Sequence, residues 1–252
     1  SALKERSVGL GVMGLHSYFQ QKMIPFESVM SKVWNKKIFE KIQKQVDKAS
    51  KDLADERGPC PDAADYGINE RFSNKTAIAP TASISIICGG TSPGVEPIAA
   101  NSYTHKTLSG SFNVRNKYLE KILAKYEKND EETWSSITTN QGSVSHLKFL
   151  TQEEKDVFKT AFELDQRWIV DLCADRTPNI SQAQSINIFI PADIHKKDLH
   201  QIHFQAWKKG LKSLYYCRSK SIQRAENVND TNLTDVTANV YKSKNKQEGE
   251  TE

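Results

Sequence analysis

The segment APTASIS, residues Ala79–Ser85, combines the features of a phosphate-binding loop. Proline suits the first turn of a helix, because its missing N–H would have no partner there. The residues after it would present free main-chain N–H groups beside the hydroxyls of Thr81, Ser83 and Ser85. A helix start of this kind carries partial positive charge and binds phosphate. The same pattern also fits a capped, buried helix packed by small residues, so the residues alone leave both interpretations open.

Tyr215 and Tyr216 are the second candidate for chemistry. Neighbouring residues of a strand point to opposite faces, so a single core would not normally hold both rings. Two phenols in sequence within LYYC could instead form a redox relay. The alternative is a pair of aromatic side chains that pack at the surface or in the core.

Cysteine and histidine give weaker signals. The four cysteines show none of the spacings typical of a zinc ribbon or a disulfide framework, which predicts reduced thiols in a cytoplasm. On a helix, only His200 and His203 of the three histidines near residue 200 share a face, and no carboxylate lies at a recognised ligand spacing. We therefore predict structural or surface roles for His195, His200 and His203, and no metal site.

The elements that must position these groups alternate between helix and strand. The glycine-rich segment Val8–Phe19 predicts a tightly packed helix, and Glu27–Arg57 predicts a long second helix stopped by Gly58. Further helices are predicted at 116–127, within 130–150, at 152–174 and at 192–210. Strands are predicted from Thr76, at 101–108, 111–114 and 185–190, with a short strand or turn at 214–217. This alternation favours an α/β fold with mostly parallel pairing.

Composition excludes several functional classes. The chain has 252 residues, 37% of them hydrophobic, and no apolar run approaches the roughly 20 residues that cross a bilayer. Its start also lacks the pattern of a secretory signal. A formal charge of +4 permits anionic ligands without indicating nucleic acid as a partner. From about residue 226 polar residues dominate, which predicts a disordered tail.

Five motifs, in order along the chain, resemble the C-terminal third of the large (α) subunit of a class I ribonucleotide reductase. They are GLGVMGLHSYFQ with PFES, APTASIS, GGTSPGVEP followed by NSYTHKTLSGSF, QSIN, and LYYCRSKSIQRAENV. The resemblance extends from about residue 4 to residue 228. It implies that residues 1–221 form the C-terminal part of a ten-stranded α/β barrel, and that residues 222–252 form a flexible tail.

The resemblance also assigns roles to the two candidate sites. The loop would bind the diphosphate of a ribonucleoside diphosphate through Pro80, Thr81, Ala82, Ser83 and Ile84. Tyr215 and Tyr216 would be the last stations of a radical path that runs from the small (β) subunit to an active-site cysteine. The implied reaction is reduction of the substrate at C2′ to a deoxyribonucleotide.

Several parts of such an enzyme are missing. The family's radical cysteine lies in an Asn-x-Cys-x-Glu motif, which none of the four cysteines matches. The chain is therefore expected to work only with the N-terminal part of the large subunit and with a metal-containing small subunit. It would bind no cofactor itself, and an external thiol such as thioredoxin or glutaredoxin would act as reductant. Gene splitting, protein splicing or an artificial start at Ser1 would each account for the first residue.

A second hypothesis keeps the fold but not the chemistry. The chain would then be a non-catalytic phosphate-binding or assembly module of a reductase complex. Retention of both the loop and the tyrosine pair argues against it, because a scaffold needs neither. A stand-alone phosphate-binding enzyme is disfavoured because no nucleophile and base occur at a recognisable spacing.

Overall fold

The computed structural model describes residues 1–107 and 110–219, with only the backbone of 105–107. The helices are α1 (Ala2–Glu5), α2 (Leu15–Gln21), α3 (Val29–Arg57), α4 (Pro61–Asp65), α5 (Ala82–Ile87), α6 (Lys117–Lys125), α7 (Glu131–Thr139), α8 (Gln152–Val157), α9 (Gln166–Arg176) and α10 (Lys196–Lys208), with a 3-10 turn at Thr177–Asn179. The strands are β1 (Ser102–Thr107), β2 (Gly110–Arg115), β3 (Ile188–Ile190) and β4 (Cys217–Ser219). The predicted tail at 222–252 lies outside the described residues.

Four stretches of chain form a parallel ladder. Leu10 bridges Thr76, and Ile78 bridges Gln184, both in parallel. Further along the Gln184 stretch, β3 pairs in parallel with β4. Within the described ranges, only the hairpin of β1 and β2 is antiparallel. The predicted α/β architecture with mostly parallel pairing is confirmed, although the last strand begins at Cys217, where the predicted one ended.

The long helix α3 forms nearly as predicted. Its N-cap is Ser28, whose hydroxyl accepts a hydrogen bond from the main-chain N–H of Ser31 at 3.1 Å. The helix ends before Gly58, as predicted. Phe39 is fully buried on its inner face, and the side-chain amide of Asn35 donates to the carbonyl of Leu172 in α9 at 2.9 Å. This face packs α3 against α9, and α9 in turn contacts β3 of the ladder.

The prediction of a helix over Val8–Phe19 is wrong for its first half. Residues 8–11 instead run extended beside 74–77, where Leu10 exchanges main-chain hydrogen bonds with Lys75 and Ala77, and the helix begins only at Leu15. A Cβ on Gly11 would lie only 2.7 Å from the carbonyl oxygen of Ala77. The glycines therefore allow close approach of two extended chains, not of two helices.

The single helix predicted at 152–174 is two helices. Thr151 and Glu154 form a capping box that starts α8, and Asp165 caps α9. The chain between them is a buried loop, in which the N–H of Ala161 donates to the carbonyl of Ile98 at 2.7 Å. Apolar residues of the loop are buried like a helix face, which explains why their spacing indicated one continuous helix.

Two hydrophobic clusters make up the core. The larger one lies between the ladder and helices α2, α3, α9 and α10, and includes the buried Phe19, Phe39 and Ile186. The smaller one joins α6, α7 and α8 around Trp134. The predicted helices at 116–127, within 130–150 and at 192–210 are confirmed with shorter bounds, and the predicted hairpin is confirmed with a slightly shorter first strand and a slightly longer second one. Among the residues described, no helix is long and apolar enough to cross a membrane.

Candidate functional site

A cleft of about 670 Å³ opens at the edge of the ladder where the parallel stretches end. Parallel strands end at the same edge of a sheet, and ligands of α/β proteins bind at that edge. The polar and charged groups of the wall come from widely separated parts of the sequence. They are Ser17, Gln20, Ser85, Thr91, Glu96, Asn101, Tyr103, Arg115, Asn116, Asn187, Arg218 and Ser219.

The predicted phosphate loop lies at this cleft, with a different start from the predicted one. Helix α5 begins at Ala82, so Pro80 precedes the helix instead of occupying its first position. Ile78 is still paired with the neighbouring stretch through its N–H and its carbonyl, so the chain is extended until just before Pro80. Thr81 then turns it into the helix with a positive φ of 50°.

The hydroxyl groups of Thr81 and Ser85 are used within the protein, whereas the first main-chain N–H groups of α5 are free in the described part of the chain. The Thr81 hydroxyl oxygen accepts a hydrogen bond from the N–H of the buried Gly94 at 2.7 Å, and the Ser85 hydroxyl donates to the carbonyl of Ala82 at 2.8 Å. Among the described residues, the N–H groups of Ala82, Ser83 and Ile84 have no protein acceptor. The main chain, rather than the Thr81 and Ser85 hydroxyls, is therefore free to bind an anion.

Not every predicted loop residue reaches the cleft. Pro80, Ala82 and Ser85 line it, whereas Thr81 packs towards Gly94. Ser83 and Ile84, in the first turn of α5, are exposed and are not part of the cleft lining.

The two tyrosine rings lie side by side, contrary to the expectation for neighbouring strand residues. Their ring centroids are 4.1 Å apart, and the hydroxyl of Tyr215 donates to that of Tyr216 at 3.4 Å. Strand β4 begins only at Cys217, so the alternation of faces does not apply to these positions. The hydrogen bond to Tyr216 raises the pKa of Tyr215. Both side chains are about half exposed.

The main chain of the tyrosine pair is fixed to the buried stretch before β3. The N–H of Tyr215 donates to the carbonyl of Ile186 at 2.8 Å, and the carbonyl of Tyr216 accepts from Ile188 at 2.9 Å. The N–H of Tyr216 donates to the side-chain oxygen of Asn187 at 3.0 Å. The pair is thus connected to the cleft through Asn187, which belongs to the cleft wall.

Sequence reasoning missed Glu96, the partner of Asn187. One Glu96 oxygen accepts from the main-chain N–H of Asn187 at 2.9 Å, and the other accepts from its side-chain amide at 3.0 Å. Glu96 is 5% exposed. A signal was present, because Glu96 is the only charged residue between Thr76 and Pro97.

Two arginines bring positive charge to the cleft. The guanidinium of Arg218 lies 5.8 Å from the ring centroid of Tyr216, and Arg115 forms a 2.6 Å ion pair with the exposed Glu131. Sequence reasoning did not single out either residue. Both suit an anionic ligand, since guanidinium groups bind phosphate oxygens.

The three histidines near residue 200 have structural contacts. His195 accepts from the main chain at the start of α10, and His203 contacts a main-chain carbonyl one turn earlier in the helix. His200 stacks on Phe204 with ring centroids 6.0 Å apart. These contacts agree with the structural roles predicted for them.

The family model described as "Ribonucleotide reductase, barrel domain" matches residues 1–69 and 62–217 of this sequence. The chain belongs to the ribonucleotide reductase family. It is 46% identical to the ribonucleoside-diphosphate reductase large subunit of Invertebrate iridescent virus 6 and 44% identical to that of Invertebrate iridescent virus 3. The alignments cover 96% and 93% of this chain.

A solved ribonucleotide reductase has the same fold. The structure titled Actinobacillus ureae class Id ribonucleotide reductase alpha subunit superposes with a TM-score of 0.81 at 41% identity, over 87% of this chain. The expected fold, part of the reductase barrel, is thereby confirmed. The chain spans only 26% and 37% of the two viral relatives and 40% of the solved chain.

Proposed function

We propose that this chain is the C-terminal part of the large subunit of a ribonucleoside-diphosphate reductase, where it binds the substrate diphosphate and relays a radical through Tyr215 and Tyr216. The observation that carries the proposal is the convergence of two distant motifs on one cleft. The loop contributes Pro80 and Ala82 to the cleft wall, and the tyrosine pair is bonded to Asn187 of the same wall.

Diphosphate binding is supported by the main chain and by charge. The free N–H groups at the start of α5 are donors for phosphate oxygens, and the small side chains of Ala82 and Ser83 leave them accessible. Arg115 and Arg218, on other walls of the same cleft, supply positive charge for a dianion.

The radical relay is supported by the contact between the two phenols. Transfer between them requires rings that lie close together and hydroxyls that keep their protons nearby. The centroid distance of 4.1 Å and the hydroxyl contact at 3.4 Å meet this requirement. Their side chains are about half exposed, and we propose that the rest of the barrel and the small subunit cover them.

The proposed enzyme needs partners. The ladder has open edges at residues 8–12 and at β4, where no other described stretch pairs with it. We propose that the N-terminal part of the large subunit completes the barrel and supplies the radical cysteine. A metal-containing small subunit would generate the radical, and an external thiol such as thioredoxin or glutaredoxin would restore the reducing cysteines, with the complex working in the cytoplasm.

Reconstitution tests this proposal. The purified chain should show no turnover of a ribonucleoside diphosphate, and activity should appear when a companion chain with Asn-x-Cys-x-Glu and a class I small subunit are added. Turnover by the chain alone would refute the need for partners. Assembly without turnover, under conditions where a full-length large subunit is active, would favour the non-catalytic module, which the missing radical cysteine also allows.

A further inference from the structure

We infer that Glu96, in its ionised form and acting through the side-chain amide of Asn187, is a positioning residue that holds the main chain of Tyr216. The inference rests on the proposed relay, because it concerns the residue that would carry the radical. The hydrogen bonds of Glu96 and Asn187 lead to the main-chain N–H of Tyr216 and not to its phenol hydroxyl, so their role would be exerted through the backbone.

The three residues form a continuous chain of hydrogen bonds. Glu96 receives two hydrogen bonds from Asn187, one from its main chain and one from its side-chain amide, at 2.9 and 3.0 Å. The side-chain oxygen of Asn187 then accepts from the N–H of Tyr216 at 3.0 Å. Asn187 is 1% exposed, so water does not substitute for these partners.

The orientation of the Asn187 amide follows from chemistry. A main-chain N–H can only donate, so the oxygen of Asn187 must face Tyr216 and its NH₂ group must face Glu96. Glu96 therefore has to accept at both oxygens, as an ionised carboxylate does. Only one protonation state of Glu96 satisfies every donor in this network.

Some neighbours of Glu96 disfavour its ionised form and others favour it. Burial has the largest effect and raises the pKa of Glu96 above its usual value, although the two hydrogen bonds from Asn187 and the guanidinium groups of Arg218 and Arg176 act in the opposite direction. The charged and titratable groups that face this wall from the neighbouring elements are Arg218 on β4, Arg176 on α9, Arg115 on β2, Tyr103 on β1 and the buried His16 on α2.

Protonation of Glu96 would reverse one hydrogen bond. A protonated oxygen becomes a donor, which favours a flipped Asn187 amide with its NH₂ group towards Tyr216. Two donors would then face each other, and the anchor of Tyr216 would be lost. The contact between the two phenols depends on that anchor. Electron transfer between them should therefore become slower, while the diphosphate loop keeps its structure.

A charge swap tests this inference in the assembled reductase. In E96Q the new amide faces the amide of Asn187, so kcat should fall at least about tenfold with little change in the KM for the diphosphate. In E96Q/N187D the amide of Gln donates to one Asp oxygen, and the other Asp oxygen accepts from Tyr216. The double variant should recover most of kcat and the slow amide exchange of Tyr216, measured by hydrogen exchange and mass spectrometry.

N187D alone provides a second readout, which remains available if E96Q does not assemble. It places two carboxylates face to face, and a shared proton between them would restore the network. Its kcat relative to wild type should therefore rise as the pH falls. A ratio that is flat or rises with pH, or a double variant no better than E96Q, would overturn the inference.

The same measurements separate this inference from the proposed relay. If E96Q loses the protection of the Tyr216 amide but Tyr216→Phe turns over normally, the relay is refuted and the positioning role stands. If Tyr216→Phe is inactive but E96Q keeps wild-type kcat and amide protection, the positioning role is refuted and the relay stands.

Discussion

The phosphate loop (Pro80–Ile84) and the tyrosine segment (Leu214–Ser219) present their functional groups in opposite ways. The loop offers main-chain N–H groups, and a side chain, Thr81, holds it in place through Gly94. The tyrosine segment offers side chains, and its main chain holds it in place through Ile186, Asn187 and Ile188. In the loop the side chain of Thr81 holds the segment and the main chain is free to bind a ligand. In the tyrosine segment the main chain holds the segment and the side chains are free.

This difference predicts how each region responds to substitution. Changes of side chain in the tyrosine segment should remove chemistry without disturbing the fold, since the backbone bonds remain. Changes in the loop should alter binding through charge or through the position of the backbone.

Tyr215→Phe and Tyr216→Phe should each abolish turnover in the reconstituted enzyme, because phenylalanine has no phenolic proton and forms no accessible radical. Each ring remains, so the melting temperature and diphosphate affinity should stay close to wild type, with at most about 1 kcal/mol of stability lost. Cys217→Ser is the matched control and should be far milder. Turnover within a few-fold of wild type in either phenylalanine variant would remove the relay from this chain.

Ser83→Glu should weaken diphosphate binding in the assembled enzyme while leaving the fold intact. A carboxylate at the start of α5 would repel the ligand by at most about 4 kcal/mol, as for two like charges 4 Å apart near a protein surface. Titration calorimetry measures the change, and Ser83→Gln controls for side-chain size. Equal affinities for wild type and the Glu variant would show that the diphosphate binds elsewhere.

Thr81→Val should destabilise the chain by about 1–3 kcal/mol, because the buried N–H of Gly94 loses its acceptor. Thr81→Ser keeps the hydroxyl and should remain near wild type. Denaturant unfolding gives the free energies. If both variants were equally stable, the hydrogen bond to Gly94 would not be what holds the loop.

The folding stability of the chain should depend on pH because of His16, which lies behind the cleft wall and contacts Ile98 of that wall. Its Nδ1 accepts from the N–H of Ile98 at 3.0 Å, and complete burial lowers its pKa from 6.5 to about 3. Below pH 6.5 the unfolded chain therefore binds a proton that the folded chain excludes. Stability should be fully present above pH 6.5 and fall by about 1.4 kcal/mol per pH unit below it, until about pH 3.

His16→Asn separates this term from the other titrations. Asparagine can still accept the hydrogen bond from Ile98 but does not titrate. The unfolding free energy of the variant relative to that of wild type should rise as the pH falls from 7 to 5, because only wild type loses the contribution of His16. A constant difference would place the acid sensitivity in other groups.

Local patterns predicted the helices and the parallel ladder well, and long-range contacts account for the failures. Gly9 and Gly11 were consistent with a packed helix, yet only the position of the 74–77 stretch decides that they belong to an extended chain. The loop at 158–165 is buried by the Ile98 contact, which no local spacing reveals.

The same distinction applies to the candidate site. Pro80–Ile84, Tyr215 and Tyr216 could be singled out as candidates from their types and order, because each of the two motifs is contiguous in the sequence. Glu96 and Asn187 are 91 residues apart, and their pairing depends on how the ladder brings two stretches together. An isolated acidic residue in an uncharged stretch was the one signal that the sequence contained.

The open edges of the ladder also bear on how such a chain could be handled in the cell. The stretch at residues 8–12 exposes Val8 and Leu10. Among the described residues it is paired on one side with the main chain of 74–77, and the carbonyl of Val8 also accepts from the side-chain amide of Gln182. An uncovered strand edge with apolar side chains is a template for the edge of another copy, and so for aggregation. Synthesised alone, the chain would depend on chaperones or on rapid capture by its complement, and its soluble yield should rise when both are co-expressed.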